Sequence, residues 1–208
     1  MSRLQKIGGI AAFLNVAVAI AMFATAIVLI GPAAMSDPSK LAQMAVQNPA
    51  PLLVQDGLKF ISVAISIVLI LAIASYLNRD NLTLNSTLLW VATGFGFCSV
   101  LCLFCNATLS LYAISQASDP SGAILSLDRV NSIIGLLGLA ALVLDGVWFL
   151  LISWISLKGR QLPKSLCYLG LGIGVLSLIP PLGIIVLLLG IAWSVWIGRV
   201  LLRSEPAG

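Results

Sequence analysis

Apolar residues run along this chain in long, nearly unbroken blocks, and charged or turn-forming residues stand mainly between the blocks. A hydrocarbon core about 30 Å thick takes roughly 20 helical residues at a rise of 1.5 Å each, so the blocks read as membrane spans. Six are predicted, at residues 7–31, 53–77, 86–114, 129–157, 163–179 and 182–202. The last two form one apolar stretch divided at Pro180-Pro181, where two amide donors are missing and a helix must end nearby. They are expected to make a tight helical hairpin. The fifth span measures about 25 Å by the same rise, which leaves open a slight adjustment of the bilayer or a partly re-entrant course.

The polar intervals add little between the spans. In the first outer loop, Ser36-Asp37-Pro38 offers a helix cap with proline at the first helical position, and residues 40–47 read as a short surface helix ending before Asn48-Pro49. The second, 115–128, contains Asp119-Pro120-Ser121-Gly122, a turn in which Pro presets φ and Gly accepts a positive one. The inner loops, 78–85 and 158–162, are shorter still. A single membrane domain over residues 1–208 is therefore expected, without a linker, a low-complexity tract or an internal repeat of the inverted-transporter kind. Met1 to Lys6 followed by an apolar block mimics a secretory signal, but a signal core has only about 7–15 residues, so the block is read as a retained first helix.

Composition fixes the solvent. Of 208 residues, 60% are hydrophobic and 9% charged, against about 25% charged in a soluble domain. The class is all-α, a polytopic transmembrane bundle. Positive residues stay on the cytoplasmic side; Arg3, Lys6, Arg79, Lys158, Arg160, Lys164, Arg199 and Arg203 fall on one side of the six-span arrangement, and Lys40, Lys59 and Arg129 on the other with Asp37, Asp56, Asp119 and Asp128. Both termini are thus expected in the cytoplasm, and the protein in the plasma membrane. The net charge of +4 comes from scattered residues, so nucleic acid is not an expected partner. With no His in the chain, classical triads, His-ligated haem, His-containing zinc sites and HExxH proteases are excluded.

Few residues remain that carry chemistry. Asp145 lies close to the middle of the fourth span, where a charged Asp costs roughly 2.5–3.5 kcal/mol and usually faces the bundle interior. Asn15, on the first span, matches it in depth. The pair reads either as a proton or cation site or as a hydrogen-bonded clamp between helices. A second cluster sits nearer the outer surface: Asp56 and Lys59 share a helix face at i, i+3, Asn106 matches Lys59 in depth, and Gln55 and Asn131 lie at or near the same rim. It reads as a polar vestibule or as an interfacial ion pair with a snorkelling lysine.

Cys98, Cys102 and Cys105 lie along one stripe of the third span and Cys167 on the fifth; three sulfurs on a straight helix do not converge on one metal, so they read as packing residues and no metal site is expected. Gly170, Gly172 and Gly174, with Gly135, Gly138, Gly94 and Gly96, permit close helix approach. Trp90, Trp154 and Trp196 read as interfacial anchors, while Trp148 and Trp193 are deeper, and Trp148 is placed to border one pocket with Asp145.

The chain resembles the bacterial six-span membrane proteins grouped as a domain of unknown function, the 4386 set. The resemblance rests on Gln5-Lys6-Ile7-Gly8-Gly9-Ile10, on Asp56-Gly57-Leu58-Lys59-Phe60, and on Ile191-Ala192-Trp193-Ser194-Val195-Trp196-Ile197-Gly198-Arg199 before Val200-Leu201-Leu202. It implies a bacterial plasma membrane and six helices, but no reaction. No catalytic residues and no cofactor are expected. The leading functional reading is a non-enzymatic subunit whose helical surface packs against lipid, a second copy or a membrane-complex partner. The alternative is a proton- or cation-linked transporter using Asp145, with Asn15 and Lys59. A lipid-acting enzyme ranks below both, for want of a nucleophile–base pair.

Overall fold

The computed structural model describes residues 3–35, 37–78, 83–118 and 127–203, and all regular structure among them is helical. In chain order the helices are α1 (Arg3–Ala24, continued by a π-helix Thr25–Ile30), α2 (Pro32–Met35), α3 (Pro38–Gln47), α4 (Ala50–Leu77), α5 (Thr83–Ser118), α6 (Leu127–Gly159), α7 (Lys164–Ser177) and α8 (Gly183–Arg203). Five of these, α1 with its π extension, α4, α5, α6 and α8, are long and apolar enough to cross a membrane. The predicted fifth span is realised as α7, whose 14 residues reach about 21 Å, short of a full hydrocarbon core. The fifth span, expected to be short, is thus shorter still, beside five long helices. The expected turn at Asp119–Gly122 lies outside the described residues, as does Arg79.

Local chemistry explains the helix ends. Asp37 caps α3 with Pro38 in its first turn, two residues ahead of the predicted start. Ser39 donates its amide at 3.0 Å and its hydroxyl at 2.6 Å to Asp37 Oδ1. These bonds hold the Asp37 carboxyl below the usual carboxylate range. Since the folded value lies below the unfolded one of about 3.9, the cap is at full strength above that pH and is lost as the pH falls through the lowered value. The protection of the Ser39 amide, its exchange rate measured against the intrinsic rate at each pH, is accordingly expected to fall on acidification, and Asp37→Asn, which caps without a charge, to remove that fall. At the far end of α6, Arg160 sits at φ 51°, Gln161 N–H donates to the Ser156 carbonyl and Arg160 N–H to that of Leu157. This is a Schellman ending with an arginine in the position glycine usually takes. The 3₁₀ turn Pro180–Leu182 joins α7 to α8, as the proline pair foretells.

The six longer helices close into a ring in which each touches the next: α1 with α4, α4 with α5, α5 with α6, α6 with α7, α7 with α8, and α8 with α1. Lipid tails are as apolar as leucine, so such a ring is held by close packing and interhelical hydrogen bonds. Ser99 donates to the Ala141 carbonyl at 2.9 Å and Asn106 Nδ2 to that of Ile134 at 2.7 Å, joining α5 to α6. Tyr76 donates to the Gln161 carbonyl and Gln161 Nε2 to that of Leu77, tying the α6–α7 loop to the end of α4. Glycines provide the close approaches. A methyl group added at Gly8 would collide with Ala72 Cβ, and one at Gly9 would meet the Leu202 side chain 2.6 Å away, so α1, α4 and α8 meet almost backbone to backbone.

These contacts gather the start of α1, the ends of α4, α6 and α8 and the start of α7 at one end of the bundle. Leu77, Leu89, Ile155, Leu166, Ile197 and Leu201 are all buried there in one hydrophobic core. α7 climbs from this end only to Ser177 and Gly174, which rest against Gly146 near the middle of α6.

Candidate functional site

Beyond this end the ring is hollow. A cavity of about 570 Å³ is lined by side chains of all six ring helices, including Asn15, Ser66, Ser99, Asp145, Ile173 and Ser194. Its aromatic side is made by Trp148 and Phe149 of α6 and Trp193 of α8, each buried. Their ring centroids lie 4.9 to 5.9 Å apart and their planes are steeply inclined, the edge-to-face arrangement that aromatic quadrupoles favour. Phe23 and Ile27 of α1 and Ile184 of α8 line the same cavity while exposed to the surroundings, which gives it an apolar rim. Between α6 and α8, α7 contributes Ile173 to the wall; it ends opposite Gly146, near the middle of α6.

The stripe of α6 that faces the cavity is Gly138, Ala141, Leu142, Asp145, Trp148 and Phe149. Steps of three and four keep these residues on one helix face, so Asp145 is set one turn from the aromatic pair. Among the described residues lining the cavity, Asp145 carries the only charge. Its side chain is partly exposed, and the helix-face argument directs that exposure into the cavity. Asn15 stands on the same cavity wall. No hydrogen bond joins the two among the described residues. Matching depth brought them to one chamber, whereas a clamp needs contact as well.

The second polar cluster, Asp56, Lys59 and Asn106, is assembled more tightly. Lys59 Nζ donates to Asp56 Oδ1 at 2.8 Å and to Asn106 Oδ1 at 3.0 Å, so one ammonium links α4 to α5 while the Asn106 amide continues to α6. Asp56 is 1% exposed and its Oδ2 has no hydrogen-bond partner among the described residues. This is a structural ion pair within the helix packing; neither Lys59 nor Asp56 lines the cavity. Gln55, the neighbour of Asp56, does line it, and its Oε1 likewise lacks a partner. Asn131 is exposed.

The remaining candidates serve packing or the surface. Cys98 is exposed, Cys102 and Cys105 are partly so and Cys167 is buried, all as free thiols. Trp90, Trp154 and Trp196 are exposed, and Lys158 lies over the Trp154 ring at 5.1 Å from its centroid. Gly170 and Gly174, the i, i+4 pair of α7, are used inside the bundle, where Gly170 meets Ser153 and Gly174 meets Leu150 and the Gly146 carbonyl. Ser62, Ser66, Ser99, Ser194 and Phe149 are cavity residues that sequence reasoning passed over. The apolar stripe around Asp145 on α6 is the signal by which Phe149 was findable.

The chain matches no family model, no curated protein and no solved structure, so function is read from the cavity itself.

Proposed function

We propose that this is a non-enzymatic, multi-pass membrane protein that binds a small solute inside its helical ring and carries it, with Asp145 as the binding charge. The observation that supports this reading is the open setting of Asp145: a carboxyl group with no hydrogen-bond partner among the described residues, facing a cavity of about 570 Å³, within the range of roughly 300–1,000 Å³ typical of small-molecule sites. A scaffold has no need to keep a hollow centre with a carboxylate on its wall. The interaction-subunit reading is weakened by the use of Gly170 and Gly174 within the bundle. In the arrangement proposed, α7 and α8 form the final pair of six passes and both termini are cytoplasmic. Arg3, Lys6, Lys158, Arg160, Lys164, Arg199 and Arg203 then lie at the cytoplasmic end of the plasma membrane, in keeping with the bias of basic residues.

Thiol labelling tests the reading without knowledge of the solute. In a variant whose four cysteines are replaced by serine, Ser66→Cys is expected to react with a small positively charged methanethiosulfonate reagent added to intact vesicles. Asp145→Asn is expected to slow that reaction several-fold while leaving a neutral reagent's rate unchanged, because a carboxylate concentrates cations in a low-dielectric cleft. A Ser66→Cys thiol that stays unmodified in folded protein and reacts only after denaturation would show a sealed scaffold and end the proposal.

A further inference from the structure

We infer that the solute is a lipophilic organic amine, held as its ammonium ion with the nitrogen at Asp145 and its apolar body against Trp148, Phe149 and Trp193. The inference rests on the solute-binding reading above and adds the ligand's chemistry. Charge comes first. The cavity wall carries one acidic side chain and no basic one among its described residues, and an ammonium ion beside a buried carboxyl group favours its ionised form. An anionic solute would add to the imbalance. A bare metal ion is also a poor fit, because the largely apolar walls cannot replace a hydration shell that demands several oxygens, and the volume far exceeds one ion. A sugar would need many polar partners where the walls are mainly alkyl and aromatic.

The neutral part of the solute follows from the same walls. The aromatic group is one helical turn from Asp145, and aromatic faces attract ammonium groups as well as hydrocarbon. Two buried groups on the wall lack partners among the described residues, Gln55 Oε1 and Trp148 Nε1; the first, with the Asp145 carboxyl group, accepts from a ligand's N–H groups, and the second donates to a polar atom of its body. The rim of Phe23, Ile27 and Ile184 presents hydrocarbon to anything entering, which selects against fully hydrated cations and for amines with an apolar body.

The test compares three probes that share one body and differ in the head group: phenylbutylamine, phenylbutanol and phenylbutyrate. The full chain in lipid nanodiscs is titrated at neutral pH and tryptophan fluorescence is followed, with empty nanodiscs correcting for partition. The amine is expected to bind saturably and about tenfold or more tightly than the alcohol, and the acid weakest. Asp145→Asn is expected to erase the preference for amine over alcohol. Asp145→Glu, which keeps the charge, is expected to retain it, provided both variants elute and melt as the parent does. Equal binding of amine and alcohol, a preference that survives Asp145→Asn, or no saturable amine binding would each overturn the inference. If the alcohol binds saturably or Ser66→Cys is labelled while the amine shows no preference, the solute-binding reading stands and only the ligand class falls.

Discussion

Gly146→Leu is expected to unseat α7 from α6 and to destabilise the protein by about 3 kcal/mol, near the upper end of overpacking costs. A Cβ at this position would lie 2.7 Å from Ser177 Cβ and 3.0 Å from the Gly174 carbonyl oxygen. The second atom belongs to the backbone and has no rotamer to escape into, so α7 itself must move. Unfolding of the purified protein in mild detergent, followed by circular dichroism against temperature or added sodium dodecyl sulfate, measures the effect. Gly172→Leu is the matched control on α7: nothing lies within 4 Å of a Cβ there, and its effect should stay within about 0.5 kcal/mol. Equal losses in the two variants would mean that α7 is not seated through Gly146.

Lys59→Met should be comparably damaging for a different reason. It removes the one cation bound to Asp56, a carboxylate 1% exposed whose second oxygen is already without a partner. Breaking a buried pair by deleting one member typically costs 3–5 kcal/mol, whereas replacing both members by apolar groups is often nearly neutral. The double variant Asp56→Leu/Lys59→Met is therefore expected to recover most of the stability lost by Lys59→Met alone, apart from the Asn106 bond. In the same unfolding experiment, additive losses in the double variant would show that the two side chains do not act as a pair.

Much of the fold was written in the hydrophobic pattern. The long helices, the Pro180-Pro181 break and the Asp37-Pro38 cap all depend on composition over a few neighbouring residues, which a sequence displays directly. The Lys59 linkage was legible too, because residues at i, i+3 share a face and depth along a helix follows from counting. What counting leaves out is rotation about the helix axis. Asp145 and Asn15 match in depth, yet whether they bond or face each other across a space depends on the azimuth of two separate helices. The π-helix Thr25–Ile30 escaped for a related reason: one extra residue in a turn changes rotation without changing the apolar character of TAIVLI. That the fifth span is short was legible in its length, but where α7 stops along α6 was not, since an apolar stretch does not say how far along a neighbour it extends. The hollow followed from ring closure, a property of six helices together.

The contact that closes the ring also orders its formation. α1 finds α4 early, but its other neighbour, α8, stands nearly the whole described chain away. The α1 face bearing Gly9 has no partner helix in the ring until α8 has been made, and contacts this remote in sequence close slowly. Until then the chain is an open curve of helices, its future interior reachable from the side. Residues at the α1–α8 seam should therefore form late, and weakening that seam, as with Gly198→Leu, should lengthen the time spent in the open form before it alters any helix.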